Sequence, residues 1–202
     1  MHRPYLRADV AAIVGGSLAI AAVSTVGDFV WATWIPQHRP VYGLTHGTLL
    51  FLAIGLFLGM ITGRAVVGAL AGAVIGFAAA GVFYLIAPLV GFSAMFLAWI
   101  AVWMALAALY GRLNAAHLDS GQARDIRVDG SAVAGRGAIA AVASGLAFYA
   151  ISGIWRPFNP QGWDYAVHFG AWTLAYVPGF AALFLGGRPR RAPAVDRAPT
   201  TR

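Results

Sequence analysis

The chain contains no cysteine, no lysine and no glutamate in 202 residues. Without cysteine there are no disulfides, thiolate metal sites, iron–sulfur clusters or cysteine nucleophiles. Without lysine a retinal-type Schiff base is excluded, and without glutamate so is a Glu-based proton relay. Every cation other than histidine is an arginine, and every acid is an aspartate. Charge of either sign is scarce. Charged residues make up 10% of the chain against 60% hydrophobic, with a mean hydropathy of +0.73. A soluble globular domain does not have that balance.

What the sequence does have is six apolar runs between Val10 and Gly186. A hydrocarbon core about 30 Å thick takes roughly 20 apolar residues as helix, the form that satisfies its own backbone groups. The runs predict spans at 10–34, 45–63, 65–87, 91–113, 133–155 and 165–186. The fold class is therefore all-α: a polytopic membrane protein with six transmembrane helices in one bundle, residues 1–186. A basic Pro/Arg-rich tail, 187–202, follows and is expected to be disordered. The first run outlasts the apolar core of an ordinary signal peptide, so it reads as a span. Between the second and third spans only Thr62-Gly63-Arg64 interrupts the apolar stretch, which predicts a tight hairpin. Pro88 separates the third span from the fourth. The one long connection, 114–132, holds Asn114, His117 and Asp119 and reads as a polar loop.

Arginine placement sets the orientation, because cytoplasmic loops are enriched in Arg and Lys. With the N-terminus inside, twelve of the arginines fall on the inner side and only Arg39 and Arg156 fall outside. Both termini are then cytoplasmic. The net charge of +7 belongs to this inner face and to anionic lipid headgroups, not to nucleic acid. Heavy use of Ala, Gly and Arg is the composition of a GC-rich bacterial genome. The expected location is the bacterial cytoplasmic (inner) membrane.

Gly55, Gly59 and Gly63 in the second span recur every fourth residue, as do Gly68, Gly72 and Gly76 in the third. That spacing stacks small residues on one helix face and lets a neighbouring backbone come close. The hairpin is expected to pack against itself, with a homodimer through one Gly-rich stripe as the alternative. Trp31, Trp34, Trp155 and Trp163 fall at outer span ends, where an interfacial aromatic belt or the lining of a pocket would lie. Trp99 and Trp103 sit one turn apart in the fourth span and read as core or lipid contacts.

The informative residues are the polar ones inside spans. Asp28 lies near the outer end of the first span, His46 opens the second, and Asp164 and His168 open the sixth at i,i+4. By parity these positions share one end of the bundle. A charge near the bilayer centre costs roughly 2.5–3.5 kcal/mol on insertion scales, so such residues usually face the interior and pair. Ser24, Trp34, Pro36 and His46 are echoed by Ser144, Trp155, Pro157 and His168. A parallel repeat would make the two histidines symmetry mates.

Three functions fit this periplasm-facing Asp/His/Trp pocket. The cluster can simply stitch helix ends together in a structural or interaction protein. It can ligate a metal ion or haem through His46 and His168, with Asp28 or Asp164 completing or orienting the shell. It can also serve a small proton-coupled solute transporter. Among the specific chemistries the sequence ranks ligation just ahead of transport. Whether the protein is an enzyme stays open, and no serine stands at a motif-like spacing from a base.

Overall fold

In a computed structural model the described residues are 4–34, 40–91, 93–119, 130–151 and 161–185. They form six helices: α1 (Pro4–Trp34), α2 (Pro40–Ile61), α3 (Ala65–Val90), α4 (Ser93–Asp119), α5 (Gly130–Ile151) and α6 (Trp163–Leu185). All six are long and apolar enough to cross a membrane. The 22 residues of α2 extend about 33 Å at 1.5 Å per residue, the thickness of a hydrocarbon core. The expected tail, 187–202, and the middle of the predicted loop, 120–129, lie outside the described residues.

Several boundaries differ from the sequence reading, among them an α1 that begins at Pro4, and three differ for a clear local reason. α2 starts at Pro40, five residues ahead of the predicted span, because proline suits the first turn, where no backbone N–H is needed. Pro88 does not end α3. The helix runs through it to Val90 and stops at Gly91, whose φ of 61° and N–H bond to the Ala87 carbonyl close the turn. α4 continues to Asp119, so Asn114, His117 and Asp119 are helical and not in a loop. Their apolar neighbours end at the bilayer, but the helix has no breaker there.

Each helix packs on its neighbours in sequence, and α1 closes the ring against α6. The α2–α3 pair is the tightest. A Cβ at Gly55 would lie 2.8 Å from Gly72 Cα, one at Gly68 would lie 2.7 Å from Gly59 Cα, and one at Gly76 would lie 2.7 Å from Phe51 Cβ. The two stripes therefore lie against each other, as intramolecular packing requires. Gly63 is not part of the stripe. It takes the left-handed conformation of the α2–α3 turn, φ 71°, and Gly47 continues the row at the other end, its carbonyl facing Gly76.

The core is built around α6. His168, Trp172, Tyr176, Phe180 and Phe184 recur every fourth residue and all are buried. Trp172 and Tyr176 stack at 5.3 Å between ring centroids, and Phe180 and Phe184 at 5.8 Å. Trp103 of α4 fills the space over Gly179, where a Cβ would strike its ring. Large rings facing a glycine achieve dense packing without strain.

Candidate functional site

Three helices bring their polar residues to one carboxylate. Asp28 stands near the end of α1, His46 near the start of α2, and His168 and Trp172 one turn apart on α6. His168 Nε2 lies 2.9 Å from Asp28 Oδ2, and the Trp172 indole donates to the same oxygen at 2.7 Å. His46 Nε2 faces the other oxygen, Oδ1, at 3.4 Å. The His168 side chain is 5% exposed, while Asp28 and His46 are about a quarter exposed, so the cluster opens toward His46. The His46 ring fits because position 27 is glycine: a Cβ there would fall on it.

The short contacts fix a chemical requirement. Trp172 Nε1 also lies 3.2 Å from His168 Nε2, but its single hydrogen is best spent on Oδ2 at the shorter distance. A bare imidazole nitrogen and a bare carboxylate oxygen would set lone pair against lone pair across 2.9 Å. One proton must therefore lie between Asp28 and His168, on either partner. The 3.4 Å gap to His46 is longer than a strong charge-assisted bond and leaves room for a second proton to draw the ring in.

Beside this cluster lies a cavity of about 310 Å³. Its walls are Leu50 and Phe51 of α2, Phe83 and Tyr84 of α3, and Trp99 of α4, with Trp172 and Asp28 at its head. Among the described residues no arginine lines it. A second hollow, a groove of about 540 Å³ between α1 and α2, is lined by Val23, Val26, Val30, Tyr42 and Leu49. His46 and Leu50 line both spaces.

Deeper in the bundle, Ser24 donates to the Ile20 carbonyl and meets the Tyr176 hydroxyl, each at 2.9 Å. Ser144 of α5 crosses to the Ala175 carbonyl at 2.6 Å and accepts the Trp99 indole at 3.1 Å. Ser17 and Thr25 have no hydrogen-bond partner among the described residues.

The other predicted site residues lie elsewhere. Asp164 caps α6, accepting the Gln161 N–H at 2.9 Å, and does not reach Asp28. Trp163 is 82% exposed and lines neither hollow. Trp31 and Trp34 belong to the last turn of α1, and the structure describes their backbone only. Trp155 lies outside the described residues, as do the two outer arginines, Arg39 and Arg156. The sequence reading missed Trp172 as a partner of Asp28. Its signal was the fourfold aromatic spacing that follows His168.

The arrangement gives metal or haem ligation no support. Among the described residues no group of three or more His and Asp side chains is placed to hold a metal ion. Both Nε2 atoms address carboxylate oxygens. No family model matches the chain, and neither does any curated protein or solved structure.

Proposed function

We propose that the protein is a small proton-coupled carrier of the bacterial inner membrane, with both termini cytoplasmic and Asp28, His46 and His168 as its proton-handling centre. The observation that carries this reading is the line of three proton acceptors from separate helices, His46, Asp28 and His168, spaced at 3.4 and 2.9 Å. The shorter gap holds one proton and the longer gap can take another. Imidazole is the side chain whose ordinary chemistry exchanges protons near neutral pH.

A cavity of about 310 Å³ beside a proton site is within the range of small-molecule pockets, roughly 300–1,000 Å³. The groups around Asp28 are His46 from α2 and His168 and Trp172 from α6. Tyr84 of α3 lies across the cavity. The described arginine side chains mark the opposite end of the bundle: Arg64, in the α2–α3 turn, donates to the Ala116 carbonyl of α4 at 3.2 Å. Among the described residues no fixed cation competes with a proton or a charged solute at Asp28.

The test uses the full chain in proteoliposomes on a solid-supported membrane, challenged with cationic, anionic and neutral organic solutes under a pH gradient. A current that needs both solute and gradient, and is lost in Asp28→Asn, is expected for at least one class. Infrared difference spectra from about pH 8 to about pH 5, the interval in which histidine changes charge, should show a carboxyl band that Asp28→Asn lacks. No gradient-dependent current from any class, with a pH-independent spectrum, would overturn the reading.

A further inference from the structure

The walls of the cavity specify what it can hold. Its charged head is the Asp28 carboxylate, and its lining includes aromatic rings from four helices. Trp99 and Trp172 stand 5.9 Å apart between centroids, tilted by 32°, and Phe83 and Tyr84 come from α3. Aromatic faces carry negative quadrupole density and attract a cation placed over them, most strongly where water is excluded. A carboxylate at the head and aromatic rings in the walls disfavour an anion and offer a neutral guest no opposite charge to gain from. Alkyl lining from Leu50, Met95, Ala98 and Val102 leaves no partners for a strongly hydrated ammonium, so the body of the guest must be apolar.

The route is set by the second hollow. The groove between α1 and α2 is walled by lipid-facing residues, with Val26 62% and Leu49 57% exposed. His46 and Leu50 form the shared wall between groove and cavity, and the His46 ring is the loosest of the three polar contacts on Asp28.

We infer that the cavity binds a lipophilic organic monocation, which reaches it sideways from the bilayer through the α1–α2 groove past His46. This rests on the carrier reading and names its substrate class. The exchange balances: one monocation enters against Asp28 as the second proton, the one shared with His46, leaves, so the charge of the site is unchanged and the proton in the Asp28–His168 gap stays in place. The apolar body displaces cavity water, and the positive centre takes the place of the departing proton.

The probe is methyltriphenylphosphonium, compared with triphenylphosphine oxide, which has the same three rings and no charge. Binding to the full chain in nanodiscs is followed by quenching of tryptophan emission and by proton release into weakly buffered solution. The phosphonium is expected to bind at least about tenfold more tightly than the oxide, as a charge desolvated against aromatic faces requires. Close to one proton should be released per cation bound. Asp28→Asn should abolish that release and reduce phosphonium affinity to that of the oxide.

Val26→Trp, on the lipid side of the groove and away from the cavity wall, should slow association without changing which compound is preferred. Because Val26 faces lipid, that variant tests the route even if Asp28→Asn folds poorly. Equal binding of oxide and phosphonium would overturn the substrate class and leave the carrier reading standing wherever another solute drives a gradient-dependent current. Asp28-dependent phosphonium binding without proton release or gradient-driven current would leave the substrate class standing and overturn the carrier reading. An unchanged association rate in Val26→Trp would overturn the lateral route.

Discussion

Gly27 holds open the space that the His46 ring occupies: a Cβ at position 27 would lie 2.5 Å from Nδ1 and nearer still to Cε1. Gly27→Ala should push the imidazole away from Asp28 while leaving the carboxylate in place. Imidazole NMR of the variant is expected to show His46 moved and His168 unmoved, with a stability loss of about 1–3 kcal/mol typical of overpacking. Gly15→Ala is the control, since nothing lies within 4 Å of a Cβ there.

Asp28→Asn keeps the size of the side chain and removes its charge. Trp172 can still donate to an amide oxygen, but the proton held between Oδ2 and His168 Nε2 loses its second site. A loss of about 1–3 kcal/mol is expected, the usual cost of weakening a charge-assisted contact at a part-buried group. Thermal unfolding in detergent measures it. Asp164→Ala removes only a helix cap, costs about 1 kcal/mol, and should leave the infrared pH response intact.

Two buried serines should behave oppositely. Ser144→Ala takes an acceptor from the Trp99 indole and a donor from the Ala175 carbonyl, so a loss of about 1–3 kcal/mol and a change in tryptophan emission are expected. Ser17→Ala removes a fully buried hydroxyl that bonds nothing described, and should be neutral or stabilising.

The glycines of α2 and α3 can be sorted by what they face. Gly72→Val drives a side chain into the backbone of Gly55 and should cost at least about 3 kcal/mol or prevent folding. Gly81, on the same helix, meets nothing within 4 Å, and Gly81→Ala should gain about 0.5–1 kcal/mol from helix propensity. Differential scanning fluorimetry of the two variants decides it.

The six helices were legible because their runs match the bilayer, and the hairpin because only Thr62-Gly63-Arg64 breaks the second run from the third. Helix ends were less so. Pro88 fits inside the last turn of α3, and α4 extends past its apolar stretch into polar residues that are still good helix formers. At the site, parity alone placed Asp28, His46 and His168 at one end, and the structure brings both histidines onto the Asp28 carboxylate. Parity fixes the end of a helix but not its rotation. For that reason Asp164, one turn from His168, serves as a cap, while Trp172, one turn further in, shares Asp28. Rotation was written in the aromatic spacing of α6, which only its packing against α1 and α4 could identify.

The backbone contact between α2 and α3 has a mechanical consequence. Helices joined glycine to glycine along their length cannot splay or slide without losing the whole seam, so this pair moves as one rigid plate. α1 is fastened to α6 by Asp28 with His168 and Trp172, and again by Ser24 with Tyr176. The slack in the ring is thus concentrated at the α1–α2 joint, where a groove already parts the helices and His46 spans it at 3.4 Å. On the carrier reading, a proton gained or lost there would loosen or tighten the one joint that the two fastened pairs leave open.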